Sequence, residues 1–297
     1  MRQKPNALKI FEALDGRITF TEDQQEKYEN FKKGYQSEIW ADKRFEKYGW
    51  LIIKSLTFHL DGEYACQIDT IIITGDYIFL YEIKWYSKKA TDRGKTIQYY
   101  SGDEDNPNGP EFKHPREQLK EATEKFKRLM WQLGIKKTLR TYVMFTHPDF
   151  VLYNMEEWSL DLVFHSEVES HIEELASTTL RPDDESYHIY NLLMAENLDT
   201  SETMPSVPKY NYASTRKVVK CPECNGVIEE VPKNRRKLKC PCCGKLVLIN
   251  DIAKKALEDY EVLFKETPTP TQLYNWCGGI FNRMRLYKLF YSNKQKE

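Results

Sequence analysis

The 297-residue chain has no apolar run approaching the ~18 residues that a membrane-spanning helix needs. Its start, MRQKPNALKIFEALDG, lacks the apolar stretch of a signal peptide. Together these absences predict a cytoplasmic protein that does not engage a membrane. Charge of one sign is also missing. The 44 Lys+Arg and 45 Asp+Glu leave a net charge of −1, so any hold on nucleic acid must come from local patches. Several catalytic signatures are absent too: no G-x-S-x-G, no H-E-x-x-H and no dinucleotide fingerprint. Gly94-Lys95-Thr96 fails as a phosphate loop, because Lys89 stands where that motif needs its first glycine. The six histidines show no ligand spacing, and no internal repeat is visible.

Against this background the segment QIDTIIITGDYIFLYEIKWY stands out. Ile71 to Ile73 and Tyr77 to Tyr81 are β-branched, aromatic or aliphatic, and both runs read as strands. Thr74-Gly75-Asp76-Tyr77 between them fits a two-residue hairpin turn of type II′, with Gly75 supplying positive φ. Counting outward from a Thr74–Tyr77 pair sets Asp69 opposite Glu82 and Gln67 opposite Lys84. Directly opposed side chains have Cβ atoms roughly 4.5–5.5 Å apart, and like charges there destabilise a sheet. A bound divalent cation removes that penalty. Glu82 and Lys84, two residues apart, share a face. Two acids and a lysine at one end of an otherwise apolar sheet therefore point to metal-dependent phosphodiester chemistry.

The length suggests two domains, and we divide the chain as follows. Residues 1–28 are a charged N-terminal segment, 29–196 an α/β domain, 197–213 a linker, 214–250 a cysteine module and 251–297 a helical tail. Within the α/β domain we expect a helix at 29–48, a strand over 50–59, the hairpin at 66–85 and a long polar loop at 87–113. A helix opening at Pro115 and ending at Gly134, strands at 141–146 and 160–165, and helices at 167–176 and 183–196 follow. This order builds one mixed sheet with helices on both faces. In the tail, Gln272 to Phe290 reads as an amphipathic basic helix broken at Gly278-Gly279, with Trp276 and Leu286 as packing residues.

The chain resembles the nuclease-related domain family, a branch of the PD-(D/E)xK nuclease superfamily. The residues that carry the resemblance are Glu38 in GYQSEIW, Gln67 to Asp69, Glu82-Ile83-Lys84 and Gln118 in HPREQ, within roughly 29–175. Family members often have Asn-Pro ahead of the helical Gln, where this chain has His114-Pro115. The resemblance implies a restriction-endonuclease-like mixed sheet and a metal-dependent nuclease. Asp69 and Glu82 would then ligate Mg²⁺ or Mn²⁺, helped by the Ile83 carbonyl and waters. Lys84 would position the attacking water or stabilise developing negative charge. Glu38 would be either a ligand beyond the innermost set or a base that orients water, and Gln118 would hydrogen-bond a phosphate or a ligand.

Five of the seven cysteines lie between 221 and 243, whereas Cys66 and Cys277 stand apart. In a reducing compartment such clustering argues for metal rather than disulfides. Cys221-x₂-Cys224 and Cys240-x₂-Cys243, separated by a 15-residue loop, predict a closed four-thiolate structural Zn²⁺ site in a zinc ribbon. Cys242 is the competing fourth ligand. We favour Cys243, because Gly244 after it lets the backbone turn. Residues 214–245 hold nine Lys/Arg against three Glu, a local 9 − 3 = +6 centred on NRRKLK, and phosphate contact is the natural use. The partner expected is nucleic acid, with DNA as the favoured form and a protein partner of the ribbon as the other option. The rival readings are a non-catalytic nucleic-acid or protein-binding module and a defence effector activated by a partner.

Overall fold

In the computed structural model, residues 2–60, 66–101, 107–155, 161–198, 207–232 and 235–294 are described. Lys233 of the basic run, 102–106 of the expected loop, residue 160 of an expected strand and 199–206 of the expected linker lie outside them. The chain divides into two compact units, residues 1–3 with 32–202 and residues 4–31 with 203–297. Helix α1 (Asn6–Leu14) belongs to the second unit. Helix α2 (Glu22–Phe45) gives its residues from Lys32 onward to the first.

The first unit is built on a mixed five-stranded sheet, as the pattern of elements predicts. Strands β1 (Leu51–Phe58), β2 (Cys66–Ile73) and β3 (Tyr77–Lys84) run antiparallel to one another in succession. After β4 (Ala90–Asp92), β5 (Thr96–Tyr99), β6 (Glu111–Lys113) and α3 (Pro115–Gln132), strand β7 (Thr138–Phe145) joins β3 in parallel. Beyond the short β8 (Leu152–Tyr153), β9 (Leu162–Val163) completes the order β1-β2-β3-β7-β9. Helices α4 (Val168–Thr178) and α5 (Asp184–Ala195) follow.

Apolar side chains on both faces of β2 and β3 need cover on both sides, and they have it. Ile71, Ile73, Ile78 and Leu80 pack with Leu119 and Phe126 of α3 and Ile189 and Leu193 of α5. Ile72, Phe79, Tyr81 and Ile83 pack with Ala41 and Phe45 of α2 and Ile172 and Leu175 of α4. Helix α3 starts at Pro115, as expected. His114 supplies its cap, with Nδ1 accepting from the N–H of Arg116 at 3.0 Å.

Two local expectations are corrected. The hairpin turn is not type II′, because Gly75 does not have positive φ. The Thr74 hydroxyl instead accepts the Tyr77 N–H at 3.0 Å, a side-chain substitute for the usual turn bond. Glycine is needed there for space. A Cβ on Gly75 would lie 2.6 Å from the Arg181 carbonyl oxygen, and the Gly75 N–H donates to the Leu180 carbonyl at 2.8 Å. The stretch 87–113 is not simply a loop either. Strands β4, β5 and β6 form a second sheet with β8 in the order β6-β5-β4-β8. These strands are three or four residues long, too short for alternation to register in a sequence.

The second unit contains two hairpins, β10 (Val219–Lys220) with β11 (Val227–Ile228) and β12 (Lys237–Lys239) with β13 (Leu246–Leu248). They are followed by α6 (Ile249–Phe264), α7 (Pro270–Trp276) and α8 (Arg283–Lys294), with the break between α7 and α8 falling at the Gly278-Gly279 pair. Trp276 and Leu286 are buried, as expected, and the Trp276 indole donates to the Ala256 carbonyl at 3.0 Å. Among the described residues no helix is long and apolar enough to cross a membrane.

Candidate functional site

The β2–β3 register matches the sequence reading as far as Thr70↔Tyr81, and there the ladder stops. One step further, Asp69 is not held by a backbone pair. Its Oδ2 accepts the N–H of Ile83 at 2.8 Å. On the next residue, Lys84 Nζ lies 2.6 Å from Glu82 Oε1. Asp69, Glu82, Ile83 and Lys84 are thus joined at one end of the strand pair, where β3 still runs beside β7 through Lys84↔Phe145.

The electrostatics are those of crowded, partly buried acids. Burial, and after it the charge of Asp69, raises the Glu82 carboxyl to about 7, although Lys84 opposes this. Glu38, from α2, is raised to about 7 by burial and Asp69, with Arg2 opposing. For Lys84, burial favours the neutral amine, but Glu82 and Asp69 outweigh it and push the pKa up. Lys84 therefore stays an ammonium at neutral pH, suited to stabilising negative charge rather than accepting a proton.

Glu38 faces the same charges but is turned to a cation, its Oε2 lying 3.0 Å from Arg2. It does not close with Asp69 and Glu82 into a tight three-carboxylate group. Among the described residues, the group of three or more ligand atoms all within 4.8 Å of one another is a set of four cysteines. Gln118 is half-buried on the first turn of α3, and its side chain makes no hydrogen bond among the described residues. Asp69, Glu82 and the Ile83 carbonyl would each offer an oxygen, the ligand type that Mg²⁺ and Mn²⁺ take. Burial, more than any neighbouring charge, is what raises both acids, and Asp69 adds to it in each case.

Sequence reasoning missed Arg2, Asp42 and Thr70. Arg2 is buried, donates twice to Asp42 (3.0 and 2.9 Å) and reaches the Thr70 hydroxyl at 2.7 Å. Asp42 follows Glu38 by four residues and so shares its helix face, which was the available signal. Nothing local in the sequence reveals Arg2.

In the second unit the sulfurs of Cys221, Cys224, Cys240 and Cys243 all lie within 4.8 Å of one another, with Cys224 to Cys240 at 3.7 Å. A tetrahedral S₄ site with Zn–S of about 2.3 Å has edges of about 3.8 Å, so the four fit a zinc ion. The two halves have matching backbones. Cys221 and Cys240 each accept at their carbonyl from the residue after the second cysteine, Asn225 at 2.9 Å and Gly244 at 3.0 Å. Both of those residues have positive φ. Burial opposes ionisation of Cys240, but the N–H groups of Cys243 and Cys242 aimed at its sulfur bring it down to about 7. Cys242 is exposed and outside the group.

The basic surface is smaller than its count. Lys220 is fully buried, with Nζ 3.1 Å from Asp259. Lys217 Nζ donates to the Thr215 carbonyl, Lys245 pairs with Glu223 at 2.9 Å and Arg216 with Glu229 at 3.4 Å. Arg235, Arg236, Lys237 and Lys239 remain exposed.

Residues 33–146 match the model of a family described as the nuclease-related domain, and the matched span contains Glu38, Asp69, Glu82, Lys84 and Gln118. Comparison with curated proteins and with solved structures found no match.

Proposed function

We propose that the chain is a metal-dependent nuclease that hydrolyses phosphodiester bonds of nucleic acid, with DNA as the substrate. The observation that carries this reading is the junction of Asp69, Glu82 and Lys84 where the β2–β3 ladder stops, within a span that matches a nuclease-related domain. Asp69, Glu82 and the Ile83 carbonyl would hold Mg²⁺ or Mn²⁺. Such an ion polarises the phosphate and makes its bound water a nucleophile at neutral pH.

The protein groups do the rest. Lys84, kept cationic by its acidic neighbours, stabilises charge developing on the phosphate oxygens. Glu38 orients water from beyond the innermost ligands, and Gln118 donates to a phosphate oxygen. Residues 29–196 act as the nuclease-like domain, and 214–250 as a zinc ribbon held by Cys221, Cys224, Cys240 and Cys243. Arg235, Arg236, Lys237 and Lys239 contact the nucleic-acid backbone.

The test is cleavage of plasmid and single-stranded DNA and of RNA with Mg²⁺ or Mn²⁺, comparing wild type with Asp69→Ala and Lys84→Ala. The wild type is expected to cut DNA, and Lys84→Ala to be slower by about 10²–10³-fold, the usual loss of one charge-stabilising group. Equal behaviour of all three proteins refutes the reading and leaves a binding module.

A further inference from the structure

Beside Asp69, midway along β2, the β1–β2 ladder also opens. Along β1 the register passes from Lys54↔Thr70 to Leu56↔Ile68, skipping the Ser55–Asp69 pair. Ser55 has φ +64°, a left-handed conformation that costs a non-glycine residue on the order of 1 kcal/mol or more. The Asp69 carbonyl is then taken by Arg2 Nη1 at 2.8 Å.

Arg2 uses all five of its N–H donors at this place. Nε and one Nη2 hydrogen grip the two oxygens of Asp42, and the other Nη2 hydrogen reaches Thr70 Oγ1. Nη1 serves Glu38 Oε2 at 3.0 Å and the Asp69 carbonyl. The Arg2 carbonyl in turn accepts from the Tyr35 hydroxyl at 3.2 Å. One planar fork thus joins a face of α2 (Glu38, Asp42) to two consecutive residues of β2, Asp69 and Thr70. A lysine offers three donors from one point and cannot span this set. Arg2 also lies outside residues 33–146, the span that matches the nuclease-related domain.

We propose that Arg2 is a positioning residue of the candidate nuclease site, clamping Glu38 to the Asp69 segment and so fixing where the acids stand relative to Lys84. The proposal rests on the nuclease reading for its consequence and on hydrogen-bond geometry for its substance. Arg2 does not touch substrate in this role. It holds the peptide whose side chain would ligate the metal, and the Glu38 carboxylate beside it.

The test uses the full chain as wild type, Arg2→Ala and Arg2→Lys, with two readouts. The first is steady-state cleavage with Mn²⁺. The second is amide exchange at Ile83, whose N–H is held by Asp69 Oδ2. Arg2→Ala is expected to lower kcat about 100-fold, the order expected for a 1 Å misplacement, with KM within about threefold. Ile83 exchange should quicken at least tenfold, and millimolar methylguanidinium should restore both readouts in Arg2→Ala but not cleavage in Lys84→Ala. Arg2→Lys should stay at least tenfold slow. Cleavage by Arg2→Ala or Arg2→Lys within threefold of wild type overturns the proposal, as does equal loss in kcat and 1/KM without rescue. If Arg2→Ala does not fold, Arg2→Lys decides by the same limits. If the wild type cleaves nothing, the nuclease reading falls, and Ile83 exchange judges Arg2 alone: faster and rescued supports the clamp, unchanged overturns it.

Discussion

Replacing Glu82 by Gln should make the metal-free protein more stable at pH 8 while abolishing its cleavage. Burial and Asp69 raise this carboxyl from 4.5 to about 7 in the folded chain, with Lys84 already counted in. A folded-state value above the unfolded one favours the protonated form. The associated stability is fully present below about pH 4.5 and is lost as pH rises through about 7. At 1.36 kcal/mol per pH unit, the interval from 4.5 to about 7 sets a ceiling of about 3 kcal/mol for ionising Glu82 in the fold. Coupling with Asp69 and Glu38 and residual solvent contact bring the expected gain for Glu82→Gln to about 1–3 kcal/mol at pH 8. The gain should vanish near pH 4, where the group is protonated in the folded and the unfolded chain alike. The assay is urea unfolding in magnesium-free buffer at both pH values, followed by pulsed hydrogen exchange in β2 and β3. Adding Mn²⁺ should raise the wild type and leave the variant unchanged. A variant less stable than wild type at pH 8, or a difference independent of pH, refutes the reasoning.

The other predictions concern zinc, the turn and the basic strand. The purified chain should carry one zinc, and Cys240→Ser should release it and remove amide protection in β10 to β13; unchanged metal content by elemental analysis speaks against the site. Gly75→Ala should destabilise the first unit by about 1–3 kcal/mol, because the new Cβ meets the backbone oxygen of Arg181, and a change under 0.5 kcal/mol in urea unfolding contradicts this. Changing Arg235, Arg236, Lys237 and Lys239 to Gln should weaken DNA binding and make its log–log salt slope shallower by about 0.9 for each phosphate no longer neutralised. An unaltered slope in anisotropy titrations removes this strand from the interface.

What was legible in the sequence follows its period and its spacing. Helices α3, α4 and α5 and the β2–β3 pair are long enough for apolar periodicity to show, and counting from Thr74–Tyr77 gives the register through Thr70↔Tyr81. The cysteine spacing carries its own geometry, so the four sulfurs converge as the two C-x₂-C pairs suggest. The rest depends on interactions between segments far apart in the chain. Arg2 reaches Asp69 across 67 residues, and no local pattern marks it. Lys220 counts as a surface cation until the fold buries it against Asp259. Gly75 looks like a conformational glycine, yet its constraint comes from Leu180 and Arg181. Helix α1 lies in a charged stretch whose six buried residues emerge only once packed.

The most direct measurement is anomalous scattering from crystals soaked in Mn²⁺. The account predicts a peak between the Asp69 and Glu82 carboxylates, within coordination distance of the Ile83 carbonyl, with Lys84 beside it. Crystals that take up Mn²⁺ elsewhere, and leave Asp69 bonded to the Ile83 N–H and Glu82 to Lys84, contradict it.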